Sequence, residues 1–300
     1  MDAFDFTHRS DALLRHAALP RDVASPQGTV STHDTASPRN TNTLPHNTDD
    51  ILPQGLSLLG FDDATIPLLA QKIDAYIKEL QLFNAAYNLV NTSERTELIV
   101  RHVFDSIAPW RIIKSQADNM RLQPAPQRDA ICALPQQNSP HASSQSGNTP
   151  AAPNCIASSI SVGDIGSGGG LPGIPLALVF PQFAFTLVER MDKRCAFLEN
   201  CVALLGLQNV RVLKSEAERV APESFDIVVF RAFHPLDNHI AQTLLALTKR
   251  GGILGAYKAK RKNIEEEMCG VKSCIANYES IALHVPFMEE AERNFVLVKK

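Results

Sequence analysis

Ten consecutive residues, Asp164-Ile165-Gly166-Ser167-Gly168-Gly169-Gly170-Leu171-Pro172-Gly173, set an acid immediately before a glycine-rich turn. Glycines at 166, 168 and 170 allow positive φ angles, so the backbone can lie flat against a ligand that a side chain would exclude. A nucleoside cofactor suits such a turn. Farther along stand Glu189, the run Ser215-Glu216-Ala217-Glu218, and Phe230-Arg231-Ala232-Phe233. A carboxylate such as Glu189 can accept both hydroxyls of a ribose, and Ala217 with Glu218 can offer a backbone amide and a polar group to the edge of an adenine.

The glycines alone admit two cofactors. Gly168-x-Gly170-x-x-Gly173, with Glu189 about 20 residues on, satisfies the dinucleotide fingerprint. The earlier frame, Asp164-x-Gly166-x-Gly168-x-Gly170, is how the first motif of S-adenosylmethionine methyltransferases is written. The marks of particular methyl-transfer chemistries are missing: the chain has neither an Asn-Pro-Pro-Tyr loop for an exocyclic amine nor a Pro-Cys pair for attack at pyrimidine C5. A target with its own in-plane lone pair, such as guanine N7, needs neither, and alignment with desolvation would supply most of the catalysis.

These residues need elements to hold them. From residue 159 onward apolar strand-like runs alternate with helical patterns, which predicts a doubly wound α/β sheet with mainly parallel strands. Strands are expected at 160–165, 183–189, 209–213, 225–230 and 252–257, with an antiparallel edge pair at about 278–285 and 293–299. Asp192 is the expected N-cap of the helix that Gly206 stops. In such a sheet ligands bind outside the carboxyl ends of the strands, where the glycine turn, Glu189, Ala217, Glu218 and Arg231 all fall. Upstream, Leu69, Ile73, Tyr76, Leu80 and Phe83 follow helical spacing, and a second helical stretch runs from Glu94 to about Ile113.

Composition sets the remaining bounds. Of 300 residues 44% are hydrophobic, enough for a sizeable core, and no window approaches the length of an apolar membrane span. The start, Met1-Asp2-Ala3-Phe4, lacks the features of a signal peptide, so a cytoplasmic protein is expected. The net charge of -3 argues against indiscriminate nucleic-acid binding, yet a near-neutral domain with local basic patches can hold RNA. Six cysteines without Cys-x-x-Cys or histidine pairs of ligand spacing suggest no metal site, and they read as small buried hydrophobes. The chain divides into residues 1–55, a low-complexity tail expected to be disordered, 56–114, a helical segment, 115–158, a Pro/Gln/Ser-rich insertion also expected to be disordered, and 159–300, the cofactor-binding domain.

Four blocks in order resemble the bacterial glucose-inhibited division protein B family, the small-subunit ribosomal RNA guanine-N7 methyltransferases. They are Tyr87-Asn88-Leu89, Arg101-His102-Val103-Phe104-Asp105-Ser106, the loop Asp164 to Gly173, and Arg231-Ala232-Phe233. The resemblance implies a class I S-adenosylmethionine-dependent methyltransferase fold, a Rossmann-like seven-stranded sheet with a small N-terminal helical extension. It implies methyl transfer from S-adenosylmethionine to N7 of the guanine at position 527 of 16S rRNA, by a monomer acting on RNA or the small ribosomal subunit and not on DNA or a membrane. Implied cofactor contacts are Asp164, Gly166, Gly168, Gly170, Leu171, Glu189, Ala217, Glu218 and Arg231. Asn88, Arg101 and Lys258 fall on the substrate side, and Arg231, His102, Asp105 and Lys258 are the implied catalytic group, with His102 and Asp105 one helical turn apart and able to pair. An arginine at 231 would repel the sulfonium, so its guanidinium is expected to hold a carboxylate or an RNA phosphate.

The chain departs from the family pattern at Phe83, where a tryptophan is usual, at Phe230, which replaces a serine, and at Ala259, which replaces a glycine. Phe230 and Ala259 are expected at the rim of the site. Lys258, Lys260, Arg261 and Lys262 form a basic cluster able to contact phosphates. Two other readings stand beside the enzyme: a non-catalytic RNA-binding or assembly protein on a methyltransferase fold, and an NAD-dependent oxidoreductase built on Gly168 to Gly173.

Overall fold

The computed structural model describes residues 51–122, 159–231 and 236–300, all within a compact unit running from Asn42 to Lys300. Seven strands form one sheet: β1 (Ser161–Ile165), β2 (Ala184–Glu189), β3 (Val210–Lys214), β4 (Phe225–Arg231), β5 (Thr248–Lys258), β6 (Glu279–Ala282) and β7 (Asn294–Lys299). Their order is β3-β2-β1-β4-β5-β7-β6, with β1 to β5 parallel and β7 antiparallel to both neighbours. This is the doubly wound sheet that the strand pattern predicts, in the seven-stranded, Rossmann-like class I methyltransferase form that the family resemblance implies. The order reverses between β1 and β4, and that switch point opens the crevice where ligands bind in such sheets.

Strand alternation separates the two faces. Val228, Phe230, Leu254, Ala256, Val296 and Val298 join the core under helices α8 (Asn238–Leu247) and α9 (Arg261–Gly270). Their neighbours Ile227, Val229, Ile253, Phe295 and Leu297 point the other way, into a core shared with α5 (Trp110–Leu122) and α6 (Gly173–Val179). Helix α7 (Asp192–Leu205) follows β2 and stops at Gly206, which takes φ 61° while Leu207 N–H reaches back to Val202 O at 3.0 Å. That pair of features closes the helix end, as its sequence predicts. Asp192 is the first helical residue, the cap being Met191, so the acid acts on the helix dipole and pairs with Lys214 instead of capping.

Of the N-terminal helices, α1 (Ile51–Leu58), α2 (Ile66–Tyr87), a π-helical segment (Leu98–Phe104) and α4 (Asp105–Ile107) share a third core with α7, while α3 (Arg95–Glu97) buries no residue. On α2, Leu69, Ile73, Tyr76 and Leu80 are buried as their spacing predicts, and Phe83 is half-buried with its ring 5.7 Å from that of Phe197.

Three boundaries differ from the sequence reading. The tail expected to reach residue 55 already contains the start of α1, a helix of 8 residues. So short a helix is marginal alone. It is held by burial of Ile51, Leu52 and Leu56, and the turn that follows it is fixed by Trp110, whose Nε1–H donates to Leu59 O at 3.0 Å and whose ring stacks on Phe61. The insertion expected from 115 begins later, since α5 runs to Leu122 on the strength of Ile113 and Ala117, four apart and buried. The helical stretch from Glu94 is not continuous: it widens through the π-segment and breaks at Ala108-Pro109, because proline cannot continue the ladder. The expectation of disorder for residues 1–50 and 123–158 lies outside the described residues. Among the described residues no helix is long and apolar enough to cross a membrane.

Candidate active site

The glycine turn leaves β1 with Gly166, Gly168 and Gly170 at φ 70°, 59° and 86°. Each angle is strained for any residue with a Cβ. Gly166 N–H and Ser167 N–H both donate to Val188 O, at 2.9 and 3.1 Å, which ties the turn to the end of β2. Behind it sits Asp164, fully buried, whose Oδ2 accepts from Ser167 Oγ at 2.6 Å and Gly173 N at 3.0 Å. Its Oδ1 is buried without a hydrogen-bond partner among the described residues, and burial pushes the carboxyl up to about 6. Asp164 therefore braces the turn from within and does not line the cavity. Leu171 is likewise buried, beneath the loop. From the other side Tyr76 of α2 donates its hydroxyl to Gly169 O at 2.5 Å.

In front of the turn lies a cavity of about 500 Å³. Of the candidate cofactor residues, Gly166, Glu189, Ala217 and Glu218 line it and Asp164, Gly168, Gly170, Leu171 and Arg231 do not; Ile165, Val188, Met191 and Ile240 form apolar walls, with Arg190 and Arg194 at the start of α7. Glu189 is held by three backbone amides: Oε1 accepts from Arg190 N at 2.9 Å and Met191 N at 3.0 Å, and Oε2 from Gly168 N at 3.0 Å. Each carboxylate oxygen can accept two bonds. Oε1 is filled and Oε2 keeps capacity for one more partner, with Arg194 Nη1 standing 4.0 Å away. A bare glycine surface, a fixed carboxylate and apolar walls fit a cofactor that joins a ribose to a flat base, and the volume lies within the usual range for such sites.

A second cluster forms around the end of β4. Asp164 of β1 pairs with Val229 of β4, so two residues on, Gly166 and Arg231 leave the sheet side by side. The Arg231 side chain turns toward the π-segment and is absent from the cavity lining. Its Nη1 donates to Asp105 Oδ2 at 3.1 Å and to the carbonyls of His102 and Arg101 at 3.3 and 3.4 Å, and its Nη2 lies 3.2 Å from His102 Nδ1. The expected direct pairing of His102 with Asp105 does not form, because Arg231 lies between them and bonds to both. Arg231 finds its carboxylate, as the repulsion argument requires, in Asp105. Asp105 also takes two bonds from Arg293, a residue that no motif marks. Burial, and then the guanidinium of Arg231, push His102 down to about 4, so its imidazole is neutral near pH 7.

The substrate-side candidates separate. Arg101 is exposed beside this cluster, with only a 3.7 Å approach to Glu97, and Asn88 is exposed in the left-handed cap of α2. Lys258 is not available to a phosphate: it is mostly buried over the Phe230 ring and bonds Glu267 Oε1 at 2.7 Å, because β5 delivers it under α9. Arg261 and Lys262 are matched by Glu265 and Glu266 of their own helix. Phe230 lies in the core under α8 and α9, so it does not shape the rim, whereas Ala259 is exposed. Cys195 and Cys201 are buried as expected, but Cys269 is exposed on α9, where the chain runs along the solvent side. Ala232 and Phe233 lie outside the described residues.

A family model described as rRNA small subunit methyltransferase G matches residues 69–122 and 151–296. The chain is 38% identical over 255 residues, 83% of its length and 94% of the relative's, to the ribosomal RNA small subunit methyltransferase G of Treponema denticola. The protein of the same name from Treponema pallidum is 34% identical, covering 80% of this chain and 90% of its own. Among solved structures, an S-adenosylmethionine-dependent methyltransferase from Methanococcus maripaludis aligns over 47% of this chain and 78% of its own, with 16% identity and a TM-score of 0.40.

Proposed function

The chain belongs to the small-subunit ribosomal RNA methyltransferase G family, and from that membership we propose that it transfers the methyl group of S-adenosylmethionine to N7 of the guanine at position 527 of 16S rRNA. The observation that carries the reading is the cavity at the switch point of the sheet, where a carboxylate pinned by three amides faces a side-chain-free turn. When bound, S-adenosylmethionine supplies a sulfonium-activated methyl.

The residues divide the work. Glu189 takes one ribose hydroxyl through Oε2, Ala217 and Glu218 border the adenine, and Gly166 and Gly168 leave room for the rest, while Gly170 makes way for Ile174 behind the turn. Asp164 and Leu171 hold the turn from behind. Arg231, neutralised by Asp105, organises the π-segment and keeps its positive charge away from the sulfonium. Arg101 and Asn88 meet the RNA. Guanine N7 presents its own lone pair, so no side chain need remove a proton before attack, and the chain's contribution is orientation and exclusion of water. The neutral imidazole of His102 fits that economy. The protein acts as a monomer in the cytoplasm on RNA, not on DNA or a membrane, and the net charge of -3 speaks against indiscriminate nucleic-acid binding.

The test is transfer of labelled methyl from S-adenosylmethionine to small ribosomal subunits lacking the modification, with the modified base released and identified. The expected result is 7-methylguanine at one position, and more than tenfold loss of cofactor affinity in Glu189→Ala. Label on another base, or none, overturns the proposal.

A further inference from the structure

We propose that His102 determines the choice of base, by donating its Nε2–H to O6 of the target guanine. The inference rests on the guanine-N7 reading above and adds the residue that reads the base.

The tautomer is fixed by the structure. Arg231 Nη2 lies 3.2 Å from His102 Nδ1, and a guanidinium carries only donors, so Nδ1 must accept. A neutral imidazole has one proton, which then sits on Nε2. Arg231 is itself held by Asp105 Oδ2 and by the carbonyls of Arg101 and His102, so it cannot rotate away and release that assignment. His102 Nε2 has no hydrogen-bond partner among the described residues, and the side chain is only partly buried. Asp105, the nearest carboxylate and the obvious acceptor for such a proton, is engaged by Arg231 and Arg293. A fixed donor is thus left over on the imidazole that Arg231, the last residue of β4, holds.

The edge of a purine that carries N7 tells the two purines apart at the adjacent atom. Guanine presents the O6 acceptor there and adenine the N6 amino donor. A lone Nε2–H opposite that position bonds guanine and faces adenine with donor against donor. The same contact fixes the ring about its N7 without placing a competing group on N7 itself. Arg231 is on this reading a positioning residue and His102 a specificity-determining one.

The experiment measures kcat/KM for methyl transfer to small-subunit RNA carrying at the target either guanine or 2-aminopurine, which keeps N7 and replaces O6 by hydrogen. The wild-type protein is expected to prefer guanine by roughly ten- to a hundredfold, the discrimination of one well-placed base contact. His102→Ala should lose activity on guanine by a similar factor and leave 2-aminopurine within about twofold, so that the preference collapses. His102→Gln, whose amide also donates, should retain part of the preference, and it carries the test if the alanine variant does not fold. Equal losses on both bases, or no preference in the wild-type protein, overturn the role of His102 while leaving the guanine-N7 reading intact. No transfer to N7 of the natural guanine by the wild-type protein overturns both.

Discussion

Arg293 and Asp105, separated by 188 residues in the chain, are joined by two hydrogen bonds, Nε to Oδ1 at 2.7 Å and Nη2 to Oδ2 at 2.5 Å. Arg231 approaches the same Oδ2 at 3.1 Å, so one carboxylate with 1% side-chain exposure balances two guanidinium groups. Asp105→Asn leaves both cations facing a neutral amide and should cost about 3–5 kcal/mol, the usual loss when one member of a buried pair is removed. Arg293→Met leaves Arg231 as counter-ion and should cost less than half as much. Urea unfolding of the two variants checks the order, and equal losses would show that Arg231 cannot neutralise Asp105 alone.

The glycine turn should tolerate a methyl group unevenly. A Cβ on Gly173 would stand 2.3 Å from Leu187 Cδ2 and 2.6 Å from Asp164 Oδ2, both packed, whereas a Cβ on Gly168 would have only Gly166 O within reach, at 3.9 Å. Gly173→Ala is therefore expected to displace Asp164, lower stability by about 1–3 kcal/mol and weaken binding of S-adenosylhomocysteine more than tenfold. Gly168→Ala meets backbone strain at φ 59° and should cost about 1–2 kcal/mol. Calorimetric titration beside thermal unfolding separates the two, and a harmless Gly173→Ala would mean that Asp164 does not brace the turn.

Much of the sheet was legible because strands of this kind are short apolar runs with period two, and because Gly206 has one conformational role. The cavity lining followed from topology: once β1 to β4 were assigned, the carboxyl ends named Gly166, Glu189, Ala217 and Glu218. What stayed hidden depends on contacts distant in sequence. Nothing local marks Arg293, since its partner lies on another element, and α1 carries Pro53 and Gly55 in a stretch whose helicity comes from docking. The surroundings of Lys258 and Phe230 are hidden for the same reason. A motif gives their position at a strand end but not the acid, Glu267, or the core that claims their side chains.

Stability between pH 4 and 6.5 should combine two opposite linkages. Burial raises Asp164 from 3.8 to about 6, so across that window the native state binds more protons than the unfolded one and loses stability as pH rises. Burial and Arg231 lower His102 from 6.5 to about 4, so there the unfolded state binds more protons and stability grows as pH rises. His102→Gln should expose the Asp164 slope and become less stable on going from pH 4 to 6, while Asp164→Asn should do the reverse. Denaturant midpoints at half-unit intervals measure both slopes, and parallel profiles for the two variants would contradict the assignment.

Tyr76 couples the N-terminal helices to cofactor binding. Its phenol is fully buried, burial holds it protonated well above its usual range, and it donates to Gly169 O at 2.5 Å. Tyr76→Phe preserves the packing of the ring among the α2 side chains but leaves the Gly169 carbonyl unpaired in an apolar setting, a loss of about 1–3 kcal/mol. Because Gly169 sits within the turn between Gly168 and Gly170, the slackened loop should raise KM for S-adenosylmethionine several-fold while leaving KM for the RNA substrate within about twofold. The π-segment with Arg101 and His102 does not touch this bond, and that separation is what the paired measurement reads. A rise in both KM values would mean that Tyr76 supports the helical segment as a whole and not the turn.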